Sequence, residues 1–508
     1  MLGLISPYVQ DEFHKNDFQS REGLGLRYIS SYLDMENIEH ILIDADGLKI
    51  NNNKVCKIVT ENKCTIIGIS CVSQRSYVFV KKLIIKLRDE FGYKGVLYVG
   101  GFFASLAYKE ILSEIEGIDF IFSGEGEKIT GEIVKRLERG QSINNVAGVI
   151  KRNGDKYLVN APYYEKDLDT LPFPKRDMNI FSGMQSENIE MRILGGRGCY
   201  GNCSFCSVMM HERPRYKVYR TAKNVVDEIE MIANKYGVNK FSFNDEIFYD
   251  KSAKGKKWVS DFCELIEQRN LNIQFRIQMR ATDVTEEELL LLKTAGLKSV
   301  SVGYEAGVQR ILDEMNKFTQ VEDNIKAAAI IKKCNLNVLT SYIMIIPTMT
   351  FEELKQNFAF LKNIGGKSNQ YFSNKLNLYY GCRYESILKE KGLLLERKNF
   401  YERDNYNYVD HKVKLYADVT DSLRKKIVPI RIDFYNKIEA IEDIVKTNEM
   451  IRQYEIITDK CIVEFYSHVL EYLDCHNYII LKEMLKKIDV CLKQIEIELT
   501  KLTGEKQC

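Results

Sequence analysis

Three cysteines in one short run, Cys199-Tyr-Gly-Asn-Cys203-Ser-Phe-Cys206, constrain this chain more than any other feature. The spacing is C-x3-C-x2-C, and the glycine-rich stretch Gly195-Gly-Arg-Gly198 leads into it. Iron–sulfur clusters are normally held by cysteine thiolates, and four ligands make a closed electron carrier. Three thiolates on one tight loop, with no fourth cysteine nearby, suit a 4Fe–4S cluster with one iron left open. Two other readings of the same residues stay open here. One is three free thiols. The other is a zinc knuckle, which needs a fourth ligand to complete a tetrahedron; His211 is the candidate.

The chain has 508 residues, too many for one core, and its length predicts about three domains. Hydrophobic residues make up 45% and charged residues 28%, the balance of a globular protein. A formal net charge of +2 gives no global field favouring nucleic acid or an anionic membrane. No apolar run approaches a bilayer span. The start, Met1-Leu-Gly-Leu-Ile-Ser, shows neither a basic region nor a cleavage site. The 13 cysteines form no framework, and scattered thiols without an export signal predict a reducing cytoplasm. Cys56, Cys64, Cys71, Cys263 and Cys334 read as small buried hydrophobes.

Across the first 150 residues, short apolar runs alternate with helical stretches. Ile41–Asp44, Ile66–Ser70, Val96–Gly100 and Phe120–Ser123 read as strands, and Leu24–Met35, Tyr77–Phe91 and Ala104–Ile115 as helices. That alternation predicts a doubly wound parallel sheet. Ligands of such sheets bind beyond the carboxyl ends of the strands. Those ends carry Ser70 to Ser73, Gly100-Gly101-Phe102 and Gly124-Glu125-Gly126-Glu127. Glycine there allows close approach of a large planar ligand. No G-x-G-x-x-G follows the first strand, so a dinucleotide fingerprint is absent.

Val149–Val159 reads as a hairpin turning at Asn153-Gly154. Leu171-Pro-Phe-Pro174 then marks a domain boundary, because paired prolines hold the chain extended. From residue 190 the alternation resumes, with strands at Glu190–Gly195, Lys240–Asn244, Gln274–Arg280, Ser299–Glu305, Val338–Pro347 and Gln370–Tyr380. The cysteine loop leaves the end of the first of these, where the chemistry of β/α barrels sits. Asn244-Asp245-Glu246, Arg280 and Gly303-x-Glu305-x-Gly307 occupy successive strand ends. Taken singly, each charged residue could equally be a surface ion pair. Beyond residue 397 the chain reads as helical. Leu481, Leu485, Ile488, Leu492, Ile495, Leu499 and Leu502 form an apolar seam, either packed on the barrel or pairing two copies. Tyr401, Tyr406 and Tyr408 are placed at the junction with the barrel.

The cysteine spacing, with aromatic Phe205 before the third cysteine, resembles the radical S-adenosylmethionine superfamily. The first 150 residues resemble the cobalamin-binding domain of one large class within it. Gly23-Leu-Gly-Leu-Arg-Tyr28, the Gly-Gly-x-x-Ala-Ser turn and the Gly-Glu-Gly-Glu turn carry that second resemblance. It implies an α/β chain in three parts: a Rossmann-like cobalamin-binding sheet (1–145), a partial (β/α)6 radical domain (189–396) and a helical end (397–508). Residues 146–188 form the hairpin and linker. Cys199, Cys203 and Cys206 then hold the cluster. Phe205, Asn244, Asp245, Glu246, Arg280, Gly303 and Glu305 read S-adenosylmethionine, with the acids at the methionyl amine and Arg280 at its carboxylate. Ser70, Ser73, Gly100, Gly101, Phe102, Gly124, Glu125, Gly126 and Glu127 cradle cobalamin. Cys382, at a strand end, is either a quencher of a product radical or an inert thiol.

Two departures stand out. Asp11-Glu-Phe-His14 is not the Asp-x-His-x-x-Gly that places histidine on cobalt, and Ile346-Pro347-Thr348-Met349-Thr350 lacks the family's glycines. The implied activity is methylation of an unactivated carbon of a small-molecule or peptide substrate through a 5′-deoxyadenosyl radical. An electron donor such as flavodoxin or ferredoxin would supply it, with no nucleic-acid partner. The alternatives are a radical cyclase or oxidoreductase on a vestigial cobalamin domain, and a non-catalytic iron–sulfur or zinc regulatory protein. RNA methylthiolation is disfavoured, because there is no second three-cysteine set and no basic stripe.

Overall fold

The strand order of the first sheet puts residues 2–6 inside it, one strand in from an edge. A computed structural model of the chain describes residues 1–9, 23–182, 186–210, 215–366, 370–403, 405–439, 444–475, 487–493, 495–497 and 500. Strand β1 (Leu2–Ser6) lies between β2 (His40–Asp44) and β3 (Ile66–Ser70), in parallel with both. The sheet continues through β4 (Val96–Gly100) and β5 (Phe120–Phe122). Leu2, Leu4 and Ile5 are fully buried, as a strand covered on both faces requires.

Helices α1 (Leu24–Met35), α2 (Asn52–Glu61), α3 (Gln74–Ile85), α4 (Phe102–Leu106), α5 (Tyr108–Glu114) and α6 (Gly126–Glu138) follow successive strands. The expected helix 104–115 is thus two helices, broken at Ala107. The expected hairpin is present as β6 (Val149–Asn153) and β7 (Lys156–Val159), but it belongs to this sheet, with β6 antiparallel to β5. Its turn is one residue later than expected: Asn153 pairs with Lys156, leaving Gly154-Asp155 as the loop. Gly154 has φ +58°, the conformation that favours glycine.

A second sheet is built from β8 (Glu190–Ile193), β11 (Lys240–Phe243), β12 (Gln274–Arg280), β13 (Leu297–Glu305) and β14 (Asn337–Tyr342). These five lie parallel in the order β14-β13-β12-β11-β8. Between β8 and β11, two short strands, β9 (Gly196–Arg197) and β10 (Val218–Tyr219), pair antiparallel and close the base of the cysteine loop. The expected sixth strand is reduced to a bridge. Only Lys375 pairs, with Ile345, although Phe372, Leu376 and Leu378 around it are buried in the core. Helices α7 (Ala222–Tyr236), α8 (Ala253–Gln268), α9 (Glu286–Thr294), α10 (Gln309–Glu314), α11 (Val321–Lys333) and α12 (Phe351–Asn363) pack around this sheet, followed by α13 (Arg383–Glu390).

Two long helices, α14 (His411–Glu439) and α15 (Ile444–Cys475), complete the described chain with a further helical stretch. From the apolar seam, Ile488, Leu492 and Ile495 are buried in the same core as the second sheet, which favours packing on the barrel. Leu481, Leu485, Leu499 and Leu502 lie outside the described residues. Tyr406 donates its hydroxyl hydrogen to the Leu376 carbonyl at 2.8 Å, at the barrel. Tyr401 instead packs against Tyr77 of the first sheet's helices, with ring centroids 5.5 Å apart. Among the described residues no helix is long and apolar enough to cross a membrane.

The two sheets are joined by a buried ionic network. Glu228 of α7 accepts from Arg176 of the linker at 2.6 Å and from Arg220 at 2.5 Å. Arg220 also donates to the Tyr28 hydroxyl of α1 at 3.3 Å. All these side chains are almost fully buried. Removing one member of such a network strands the others in low dielectric, at about 3–5 kcal/mol. Glu228→Ala is therefore expected to lower the first thermal unfolding transition and expose the linker to limited proteolysis.

Candidate functional site

The cysteine loop is fixed by its own backbone geometry. Gly198 has φ +96°, and a Cβ there would stand 2.6 Å from the Tyr216 carbonyl oxygen, just before β10. A Cβ on Gly196 would stand 2.4 Å from the Val218 oxygen. The loop is pinned from below: Ser204 N–H donates to the Met315 carbonyl at 2.9 Å, and Asn316 donates to the Asn202 carbonyl at 2.7 Å. Its entry is held by Glu246, which accepts from the Gly198 N–H at 3.0 Å. Cys203 is buried, Cys199 and Cys206 are half-buried, and Phe205 packs against the main core. Burial pushes the Cys199 thiol up, with the Gly201 N–H opposing it.

Among the described residues no three His, Cys, Asp or Glu side chains converge on a single ion. A cluster does not need such convergence, because each thiolate binds a different iron. His211 lies outside the described residues, as does His14. The surroundings fit an anionic iron–sulfur group. Arg280, buried at the end of β12, places Nη1 3.6 Å from the Cys203 sulfur, and its Nε is buried with no hydrogen-bond partner. Its guanidinium also bonds the Lys317 carbonyl and lies over the Tyr200 ring at 5.3 Å. Arg280 thus faces the cysteine loop instead of standing free for a methionyl carboxylate.

Beside the loop is a cavity of about 590 Å3, walled by both sheets. Ser70, Gly100, Gly101 and Phe102 line it from the carboxyl ends of β3 and β4, and Gly124 to Glu127 from the end of β5. Gly23 and Gly25 line it from the start of α1. The opposite wall is Arg192, Leu194, Gly196, Arg197, Asn244 and Glu246.

Not every expected glycine leaves room for a ligand. Gly101 (φ +100°) is required by the Cys71 backbone and Gly124 (φ +103°) by Tyr163, whose atoms a Cβ would crowd. Gly100 and Gly25 differ. Among the described residues, a Cβ on Gly100 meets nothing closer than 3.8 Å, and one on Gly25 nothing within 4 Å. These two positions are open toward a large planar group such as a corrin.

Several expected site residues are committed elsewhere. The Ser73 hydroxyl caps α3, accepting from the Ser76 N–H at 3.1 Å, and does not line the cavity. Asp245 is buried, paired with Lys217, accepts from the Gly195 N–H at 2.9 Å and does not line the cavity, so its charge is already met within the chain. Glu305 sits at a register shift in β13 with φ +61° and accepts from Lys317 at 2.8 Å. A Cβ on Gly303 would collide with that pair, and one on Gly307 with Phe360. The Gly-x-Glu-x-Gly element therefore buttresses the cysteine loop through Lys317 and Arg280. Cys382 precedes the first residue of α13, is 2% exposed and lies outside the cavity lining; burial raises its thiol. Arg192, Arg197, Lys217 and Lys317 were missed as site residues: Arg197 leads into the loop but its partners, Glu125 and Glu127, come from the first sheet, and only tertiary packing sets Arg192 in the cavity wall and gives Lys217 and Lys317 their acidic partners.

Residues 193–361 match the model of the Radical SAM superfamily, and residues 21–134 match that of the B12 binding domain. The chain belongs to the radical S-adenosylmethionine enzymes that carry a B12 binding domain. Membership brings a 4Fe–4S cluster, S-adenosylmethionine and cobalamin as cofactors, and sets aside the non-catalytic reading. The chain is 27% identical over 393 residues to the anaerobic magnesium-protoporphyrin IX monomethyl ester cyclase of Rubrivivax gelatinosus, covering 75% of this chain and 68% of that protein. It is 24% identical over 433 residues to an uncharacterized methyltransferase of Pyrococcus horikoshii, covering 84% and 91%. Among solved structures, the cobalamin-dependent S-adenosylmethionine radical enzyme OxsB, with aqua-cobalamin and S-adenosylmethionine bound, superposes with a TM-score of 0.79 at 17% identity. That match covers 99% of this chain and 80% of OxsB.

Proposed function

We propose that this enzyme methylates an unactivated carbon of a small-molecule or peptide substrate in the cavity between its two sheets. The observation that carries the reading is the double wall of that cavity, with Gly25 and Gly100 open on one side and Asn244 and Glu246 on the other. When bound, the cluster and S-adenosylmethionine supply a 5′-deoxyadenosyl radical that abstracts hydrogen, and cobalamin supplies the methyl group.

The protein orients these partners and excludes water. Cys199, Cys203 and Cys206 hold three irons, with Arg280 offsetting the charge beside Cys203. Asn244 and Glu246 are the polar side chains placed to meet the methionyl end of S-adenosylmethionine. Gly100, Phe102 and Gly25 carry the corrin. The corrin-binding unit includes the hairpin through Val159, the linker runs to about residue 188, and the helical end from 397 packs on the barrel. The reaction is placed in the cytoplasm, with a flavodoxin or ferredoxin as electron donor.

Cyclisation is the second reading, favoured by the likeness to the Rubrivivax cyclase over three quarters of this chain. Anaerobic protein loaded with iron, sulfide and hydroxocobalamin and reduced with dithionite separates the two. Methyl transfer predicts corrin bands beside the cluster, with both S-adenosylhomocysteine and 5′-deoxyadenosine formed. 5′-Deoxyadenosine alone, without bound corrin, would overturn it in favour of a cyclase or oxidase.

A further inference from the structure

Arg197 stands two residues ahead of Cys199, yet its side chain belongs to the other sheet's surroundings. Nη2 meets Glu127 at 2.6 Å and Nη1 meets Glu125 at 3.0 Å. Its guanidinium lies over the Tyr28 ring at 5.3 Å. Glu127 is in the first turn of α6 and buried. Glu125 also accepts from the Glu165 N–H at 2.9 Å. A Cβ on Gly126, between the two acids, would stand 2.7 Å from Ile29, so this turn is seated tightly on α1. The next residue, Gly198, is held by Glu246 from the barrel side. The entry to the cysteine loop is thus fixed jointly by both sheets.

Glu125, Gly126, Glu127, Arg197 and Tyr28 all line the cavity. The trio of one guanidinium and two carboxylates carries a net negative charge beside the loop. The potential of an iron–sulfur cluster responds to nearby net charge and solvent exposure. A ligand filling the cavity removes water from the trio, and charges act more strongly in lower dielectric.

We propose that Arg197 is a positioning residue whose ion pairs with Glu125 and Glu127 make the cluster's reduction potential depend on whether the corrin cavity is filled. The inference rests on the cluster and corrin placements above. In Glu127→Gln the acceptor oxygen and the shape persist while one negative charge is lost. Reduction adds an electron, so losing that charge favours the reduced cluster.

The test is a redox titration followed by electron paramagnetic resonance on the reconstituted full chain, with and without hydroxocobalamin. E127Q is expected to favour the reduced cluster by about tenfold over wild type, about 59 mV for one electron, and the gap widens on corrin loading. Arg197→Lys keeps the charge and is expected to stay near the wild-type midpoint. If E127Q yields no cluster, Glu125→Gln carries the same expectation. Equal midpoints in wild type and the glutamine variant, loaded and unloaded, would overturn the inference while leaving the proposed activity intact. A wild-type chain that assembles no cluster would overturn the proposed function first.

Discussion

Replacing Cys199, Cys203 or Cys206 singly with alanine is expected to abolish reductive cleavage of S-adenosylmethionine and the visible absorbance of the cluster, with the fold retained. Cluster assembly is all-or-none at this level, because losing one of three thiolates leaves two irons without a protein ligand. The fold is expected to survive. The loop's position depends on main-chain bonds from Ser204, on Asn316 and on Glu246, none of which uses a cysteine sulfur. Deleting one sulfur atom from the partly buried loop costs about 1 kcal/mol, the scale of a small core truncation. Iron content, absorbance and 5′-deoxyadenosine production measured on folded, monodisperse variants check this. A variant retaining full iron and cleavage would remove that cysteine from the ligand set.

Position 25 should separate corrin binding from cluster chemistry. Gly25 is the second residue of α1, lines the cavity and, among the described residues, has no atom within 4 Å of where a Cβ would stand. Glycine in a helix is less stable than alanine by about 0.5–1 kcal/mol, so Gly25→Ala should stabilise α1 slightly and leave hydroxocobalamin binding nearly unchanged. Gly25→Trp fills the same space with an indole. It is expected to weaken corrin binding by about a hundredfold, near 2.8 kcal/mol, with the iron content of the cluster unaltered. Spectroscopic titration with hydroxocobalamin reads the first effect and iron analysis the second. Unimpaired corrin binding in G25W would place the corrin elsewhere.

Much of this architecture was legible because its signals are local. The apolar runs at Ile66–Ser70 and Val96–Gly100, and the cysteine spacing, declare themselves within a few residues. Strand β1 was not read, although Leu2-Gly-Leu-Ile-Ser carries the same kind of run, because its interior place depends on pairing with segments about 40 and 60 residues later. Asp245 and Glu305 looked like ligand-binding acids for a related reason. Their lysine partners, Lys217 and Lys317, arrive from other segments, and a charge pattern along the chain cannot show which acid will be neutralised by folding. Arg280 was correctly placed at a strand end, but its direction, toward Cys203, is set by how the loop folds back beneath it.

The interior position of Leu2–Ser6, between β2 and β3, also orders events during synthesis. A parallel strand pairs only across a crossover connection, so Leu2–Ser6 must wait until β2 and β3 have been made. Parallel pairing of this kind is slow compared with hairpin formation, and chains generally fold from the amino end as they are made. Every strand of the first sheet, and the turn bearing Glu125 and Glu127, precedes Arg197 in the chain. The cysteine loop is therefore synthesised only after every segment of the first sheet that walls the cavity.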